Sequence, residues 1–331
     1  MTTRSVAVTG ATGFIGRHLV AHFVAAGVDV RAVVRPESVR ALPRGVTIVR
    51  APLVANRLGD AFAGVDAVVH LAGVTRATRA EVYEKVNVHG TRAVADAARA
   101  AGARLIHISS LAAVGSASPV APRREEDPPA PITPYGASKL AGERVVTATP
   151  GLRWTILRPA AVYGPADSAL LPLFRLAERG VLPLIGRPGA AYTFVYVADV
   201  VRAVDAAIGR ASDSQTIFVG HPRLVTARTL LEQIRAAAAR PALIVPLPLV
   251  VGRAAALLCD LVGGLTGRPL PLNRWRFAEL AAEGFVCRVD RMREQLGVEA
   301  GVDLPEGLAE TAAWYRREGW LPPALTTAPP L

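Results

Sequence analysis

Lysine is nearly absent from this 331-residue chain: of 38 basic residues only Lys85 and Lys139 are lysines, and 36 are arginines. The high content of Ala, Arg, Gly and Pro reads as the coding bias of a GC-rich genome, so the net charge of +11 says little by itself. Each lysine that survives such a bias is informative. Cysteine is scarce too. Cys259 and Cys287 are too few for a disulfide framework and stand in no metal-type Cys/His spacing, which fits a reducing, cytoplasmic setting. Aromatic residues make up 5% of the chain and do not alternate with the arginines, which are spread from end to end. The cation-plus-stacking pattern of a nucleic-acid binder is therefore missing. The start, Met1-Thr2-Thr3-Arg4, runs straight into an apolar strand-like segment without the charged flank, apolar run and cleavage site of a signal peptide. The longest apolar stretch worth testing, Pro241 to Gly252, holds prolines at 241, 246 and 248 and is closed by Arg253. It is too short and too broken to span a bilayer.

What is present is material for a core. With 51% hydrophobic and 20% charged residues the chain is a folded globular protein, long enough for one or two cores. Short apolar runs alternate with helical periodicity: a strand at Ser5 to Thr9, a glycine-rich turn, a helix from Phe14 to Ala26, then strands at Val28 to Val34, Val46 to Val49 and Ala67 to Leu71. A long Ala-rich helix from Tyr83 to Ala101 follows, then a strand to Ser109, a helix from Tyr135 to Thr147 and a strand at Trp154 to Leu157. Strands alternating with helices predict an α/β fold with a doubly wound parallel sheet. Beyond residue 160 Gly and Pro punctuate the chain and the elements lose regularity. The reading is a dinucleotide-binding domain over 1–160 and a smaller substrate domain over 161–331. Phe194 to Val197 and Ala198 to Ile208 resemble a further strand and helix of the first domain, so residues near 192–210 interleave the two.

Gly10, Gly13 and Gly16 in TGATGFIG have a GxxGxxG spacing between that first strand and an amphipathic helix. The first glycine permits the tight turn, the second lets backbone amides approach a pyrophosphate, and the third allows close helix packing. The helix N-terminus offers unpaired N–H groups to the anion. Thr12, Phe14 and Ile15 belong to the same loop and first turn. Dinucleotide enzymes of this design place an acid at the end of the second strand for an NAD ribose, or an arginine for an NADP phosphate. Here the strand ends in Arg35, with Arg40 in the following turn and no carboxylate at the strand end. That favours NADP over NAD, although a solvated arginine explains Arg35 as well.

Tyr135 and Lys139 are four residues apart, so a helix puts both on one face. A lysine ammonium beside a phenol favours the phenolate, and such a pair can exchange the proton of an alcohol. One of the two lysines in the chain occupies this position.

With these pieces the chain resembles the extended short-chain dehydrogenase/reductases, of the epimerase/dehydratase and 3β-hydroxysteroid dehydrogenase grouping. The matching segments are TGATGFIG at 9–16, His70-Leu71-Ala72-Gly73, Asn87-Val88-His89-Gly90-Thr91, Ser109-Ser110, YxxxK at 135–139, Leu157-Arg158-Pro159 and Val162-Tyr163-Gly164-Pro165. They run in the family's order over about residues 5 to 200. The resemblance implies a Rossmann fold with a smaller C-terminal substrate domain, Tyr135 as acid/base, Lys139 as its partner and a ribose ligand, and Ser110 holding the reacting oxygen. A serine capping a strand end is the plainer reading of Ser110, and a helix cap that of Asn87. Leu71, Ala72, Gly73 and Asn87 would line the cofactor, Pro159 and Val162 would border its nicotinamide, and a homodimer through the two long helices is implied.

Departures from the pattern bear on substrate. Pro52-Leu53 stands where the family commonly has Asp-Leu, Ala113-Val114-Gly115 where sugar-nucleotide epimerases often have Val-Tyr-Gly, and Tyr192-Thr193-Phe194 where they often carry an arginine. Leu111-Ala112 offers no acid of the dehydratase kind. These point to interconversion of a secondary alcohol and a ketone on an apolar, sterol-, terpenoid- or flavonoid-like small molecule. A sugar-nucleotide epimerase with tightly held NAD is the alternative, and a non-catalytic dinucleotide-binding subunit or sensor a third. The apolar segment 241–272 reads first as a buried core helix, otherwise as a substrate channel or a surface helix touching a membrane.

Overall fold

The computed structural model describes residues 4–187, 189–209 and 213–323; Met1 to Thr3, Pro188 and the closing residues 324–331 of the second predicted domain lie outside the described residues, as do residues 210–212. The first part of the chain runs β1 (Ser5–Thr9), α1 (Phe14–Ala25), β2 (Asp29–Val34), β3 (Thr47–Arg50), α2 (Gly59–Phe62), β4 (Ala67–His70), α3 (Ala80–Tyr83), a π-helical stretch (Glu84–His89), α4 (Gly90–Ala100), β5 (Arg104–Ile108), α5 (Pro134–Thr147) and β6 (Trp154–Pro159). The remainder runs β7 (Ala161–Tyr163), α6 (Leu171–Glu178), β8 (Val181–Leu184), β9 (Ala191–Tyr192), β10 (Phe194–Tyr196), α7 (Val197–Gly209), β11 (Gln215–Val219), β12 (Val225–Thr226) and α8 (Ala227–Ala237). It closes with β13 (Leu243–Pro246), α9 (Leu249–Thr266), α10 (Arg274–Ala281), β14 (Gly284–Phe285), α11 (Asp290–Leu296) and α12 (Leu304–Arg317).

Seven parallel strands form the central sheet in the order β11-β6-β5-β4-β1-β2-β3. The strands read as unbroken apolar runs because helices cover both faces. On one face Leu19, Val20 and Phe23 of α1 meet Val200 and Val204 of α7 and Met292 and Leu296 of α11. On the other, Phe62, Val94 and Val146 close over Ala7, Val68, Leu105 and Ile156. The order reverses between β1 and β4, and at that switch point the carboxyl ends of the strands leave a crevice for a ligand. A third core, with Phe174, Leu182, Tyr196, Ile234, Leu308 and Tyr315, lies under α6, α8 and α12.

Three expectations are corrected. Phe194 to Val197 was expected as a strand of the first domain; β10 pairs with β7 in a separate two-stranded sheet, Phe194 opposite Ala161, while Val195 and α7 pack into the core of the central sheet. The seventh strand is β11 instead, Gln215 opposite Thr155. Its first two residues are polar and only partly buried, so its apolar run is three residues long. The long helix begins at Ala80 and carries a π-helical stretch in its second turn. The third correction concerns the buried helix expected within 241–272: Leu258, Leu261 and Leu265 of α9 are 62%, 62% and 80% exposed.

Candidate active site

Gly10 follows β1 with φ +72, a left-handed conformation that side chains rarely adopt, and a Cβ there would lie 2.6 Å from the Ala72 backbone nitrogen. At Gly16 a Cβ would fall 2.2 Å from the Gly10 carbonyl oxygen. Two of the three glycines thus let β1, the β4 exit and the first turn of α1 approach one another. The N-cap of α1 is Gly13, which gives no side-chain hydrogen bond, and its first turn holds no acid. By contrast Thr133, Thr226 and Asn273 cap α5, α8 and α10 with side-chain oxygens. The bare, positively polarised N-terminus of α1 at the switch point suits a phosphate, so the residues present fit a dinucleotide.

Around the loop lie the arginines. Arg40 donates to the Thr12 carbonyl at 3.1 Å, and Arg17, which sequence reasoning passed over, lines the same concavity with Thr12, Arg40, Ala41 and Trp320. Burial and the neighbouring Arg40 both push the Arg17 guanidinium below its ordinary value. Arg35 is 81% exposed, its Nε 3.6 Å from Glu37. So exposed an ion pair is weak and leaves the guanidinium able to turn to an anion.

The π-helical stretch buries Asn87 at 2% exposure. It is no cap: its Oδ1 accepts from the Val74 amide at 2.8 Å, and its Nδ2 donates to the Val74 carbonyl at 3.0 Å and to Ser138 Oγ at 2.9 Å. The clamp fixes the segment leaving β4. A Cβ at Gly73 would lie 3.1 Å from Asn87 Oδ1 and 4.0 Å from Lys139 Nζ. Leu71 packs against the core below, as does Val162, and Pro159 ends β6 opposite Val219.

Tyr135 and Lys139 stand one turn apart on α5, which is held close to the Ser110 turn. A Cβ at Gly136 would come 2.3 Å from the Ala112 carbonyl, and one at Gly142 2.8 Å from the Asn87 carbonyl. The Ser110 side chain both caps the turn Leu111–Ala113, accepting from the Ala112 amide at 3.2 Å, and hydrogen-bonds to the Tyr135 phenol. The capping reading of Ser110 holds, and the same side chain stands beside the Tyr135 phenol. Lys139 Nζ donates to the Ile108 carbonyl at 2.6 Å. The electrostatics differ from expectation: burial pushes the Tyr135 phenol up to about 12, against the Ser110 hydrogen bond. Burial also pulls the Lys139 ammonium down to about 8, against the Glu143 carboxylate. Desolvation outweighs the Ser110 hydrogen bond at the phenol and the Glu143 charge at the lysine, so the phenol holds its proton at neutral pH.

Beneath the pair lies a buried network. Arg158 grips Glu143 through Nε to Oε1 at 2.9 Å and Nη2 to Oε2 at 2.7 Å, Ser109 donates to the same carboxylate, and the guanidinium stands 5.6 Å from the Phe218 ring centroid. Deeper still, burial drives His70 down to about 3 and His107 well below its ordinary value. Both are neutral imidazoles, their rings tilted against each other with centroids 5.4 Å apart.

Facing Tyr135 are residues that sequence reasoning missed. Tyr83 lies with its ring centroid 6.0 Å from that of Tyr135, and Trp275 of α10 stands edge-on to Tyr83 at 5.8 Å. Glu279, one helical turn further, raises the phenols of Tyr135, Tyr83 and Tyr192. The Tyr192 hydroxyl is buried without a hydrogen-bond partner among the described residues. Tyr83 and Trp275 are 192 positions apart, so no local pattern announces their contact.

Comparison with known proteins follows the same lines. The profile of the NAD dependent epimerase/dehydratase family matches residues 6–220. The chain is 36% identical over 330 residues to a ceramide reductase of Caulobacter vibrioides, covering 96% of each. It is 33% identical over 337 residues to the sterol demethylase protein B of Methylococcus capsulatus, covering 95% of this chain and 99% of that one. The solved structure of MoeE5 in complex with UDP-glucuronic acid and NAD superposes with a TM-score of 0.77 at 26% identity, covering 95% and 99% of the two chains.

Proposed function

The chain belongs to the NAD-dependent epimerase/dehydratase family and is an enzyme of the NAD(P)-dependent oxidoreductase type, and from that premise we propose that it reduces a ketone borne on a lipid to the secondary alcohol, with NADP(H) preferred. The observation that carries the substrate class is the aromatic wall of Tyr83 and Trp275 over Tyr135. Such a wall suits an apolar chain or ring beside the reacting carbon. The similarity to a ceramide reductase and a sterol demethylase protein agrees with it.

When bound, the dinucleotide supplies the hydride. Gly10, Thr12, Gly13 and the first turn of α1 would hold its phosphates, and Gly73, Asn87 and Lys139 would flank the ribose next to the reacting end. The chain's own work is proton handling. Ser110 Oγ–H donates to the ketone oxygen and the Tyr135 phenol gives that oxygen its proton, which leaves a phenolate as the alcohol forms. Lys139 offsets the new negative charge, and Glu143 keeps the lysine charged. In the reverse direction the phenolate takes the proton back.

Two outcomes in solution follow from these roles. With the dinucleotide as the varied substrate, kcat/KM reports groups of the free enzyme. It is expected to fall as pH rises through about 8, where Lys139 loses its charge. In Lys139→Arg, whose guanidinium stays charged far beyond that range, the descending limb should vanish even if the plateau is lower. Calorimetric titration tests the cofactor: Arg35→Ala should weaken NADP⁺ about tenfold or more, the scale of one charge-assisted phosphate contact, and leave NAD⁺ within a factor of about two. Equal losses for both dinucleotides would remove Arg35 from the phosphate site.

The reading itself is tested by offering the purified protein NADPH or NADH with long-chain keto-lipids in detergent and, separately, with sugar nucleotides. Loss of reduced-nicotinamide absorbance with the lipid supports it. Copurifying NAD together with turnover of a sugar nucleotide and no net absorbance change would replace it with an epimerase. Silence toward both, unaltered by Tyr135→Phe, would favour a non-catalytic subunit.

A further inference from the structure

Helix α9 is amphipathic the wrong way round for a soluble surface. A helix on a globular domain normally turns its large apolar side chains to the core, but the residues α9 buries are small: Gly252, Ala256 and Gly263. The stripe lies close against its neighbours, since a Cβ on Gly252 would meet Ile185 at 3.0 Å and Phe277 of α10 at 3.1 Å. The aliphatic side chains point out: Val250 is 72%, Leu257 54%, Leu258 62%, Leu261 62% and Leu265 80% exposed, and Leu243 on the adjoining β13 is 71% exposed. Together they present roughly 700 Å² of apolar surface, more than monomers usually leave in water. Some partner must cover it.

Charge identifies that partner. On α9 itself the ionisable side chains are Arg253 and Asp260, apart from the Cys259 thiol, and Asp260 is engaged by Arg274, accepting from its amide at 3.1 Å. Arg240, Arg253 and Arg268 are exposed around the patch and face no carboxylate within ion-pair distance among the described residues. An apolar stripe rimmed by unpaired arginines matches an anionic lipid surface, with acyl chains below and phosphates at the rim. A second copy fits poorly, because a two-fold contact apposes the same patch with itself and would bring arginine rims together. Spanning is excluded by attachment at both ends. The 18-residue helix is long and apolar enough by composition, with mean hydropathy 1.6, but β13 before it pairs with β8 and α10 after it packs back on its buried stripe.

We propose that α9, with Leu243, docks the enzyme in the plane of an anionic phospholipid bilayer, and that α10 links this surface to the substrate cleft. Phe277 of α10 fills the notch at Gly252, while Trp275, two residues earlier, stands against Tyr83 beside Tyr135. One helix, α10, thus touches both the docking helix and the aromatic wall beside Tyr135. The substrate part of this inference rests on the reading above; the docking does not.

Flotation of the full chain with vesicles separates the two. Wild type should float with vesicles of phosphatidylcholine mixed with phosphatidylglycerol, less with phosphatidylcholine alone, and less again at high salt. Leu258→Glu/Leu261→Glu should cut binding at least tenfold, while its melting temperature and NADPH affinity match wild type, because both side chains lie in solvent. Arg253→Ala/Arg268→Ala should abolish the preference for the anionic vesicles. Failure of wild type to float, or unchanged flotation of the Glu variant, overturns the docking. So does a dimer in light scattering that the Glu variant dissociates while vesicles are not bound. Flotation without turnover of any keto-lipid would leave docking standing and remove the substrate reading; turnover in detergent without flotation would do the converse.

Discussion

Replacing Tyr135 with phenylalanine is expected to lower kcat for ketone reduction by about a thousandfold, the middle of the range for a positioned general acid, and to leave dinucleotide affinity within a factor of about two. The ring stays, so its packing against Tyr83 is retained, and what is lost is a single hydroxyl. That hydroxyl is a proton donor at working pH because burial holds it near 12, and no second acid on the described side of the cleft shares its bond with Ser110. Glu279 bears on its charge from α10 but is not hydrogen-bonded to it. Single-turnover reduction under saturating NADPH isolates the chemical step. A loss of less than about tenfold would mean that the proton comes from elsewhere, and Ser110→Ala, which removes a hydrogen bond rather than the proton, should cost less than Tyr135→Phe.

The second large effect is on stability. Arg158→Met is expected to destabilise the fold by about 3–5 kcal/mol, as removal of one partner of a buried ion pair does. Arg158 and Glu143 are 8% and 5% exposed, so among the described residues the carboxylate left behind keeps the Ser109 hydrogen bond alone, with little access to water. The double variant Arg158→Met/Glu143→Leu should recover most of that loss, since a buried pair is worth little net against apolar side chains of similar volume. Denaturant unfolding of the two singles and the double measures the coupling. Additive losses would show that the pair does not act as a unit. Glu143 is also one turn from Lys139 and sustains its charge, so Glu143→Leu should move the descending limb of the pH profile to lower pH. A purely structural role would leave that limb in place.

How legible the site was depended on whether its parts were neighbours in sequence. The glycine loop and the YxxxK pair are local patterns read from spacing and flanking periodicity, the Ser110 segment came from the resemblance, and the structure sets Ser110 beside Tyr135 with Lys139 one turn along α5. Arg158 stood in a recognised segment, yet its partner Glu143 lies on a different element and nothing in either stretch linked them. Trp275 was invisible for the same reason. The sheet was legible where strands are buried on both faces and therefore apolar throughout, as at β1, β4 and β5. It was missed at β11, an edge strand with a polar start. The 241–272 segment misled because apolarity was equated with burial. The positions of its small residues, Gly252, Ala256 and Gly263, held the correct sign: when the small side chains share one face, the large ones occupy the other.

The place of β11 has a consequence for how the chain is made. The last strand of the sheet is drawn from residues 215–219, after β7 to β10 and α6 have been threaded into other layers and α7 has been laid over the sheet beside α1. As the chain emerges from the ribosome, residues up to β6 can assemble six strands, but β6 then carries a free edge with unpaired amides and carbonyls. That edge waits through the synthesis of about sixty further residues, several seconds at ordinary elongation rates. The nucleotide-binding half is thus not a separable folding unit: completing its sheet requires the chain to return from the other half, and the exposed edge in the interval is where misassembly would begin.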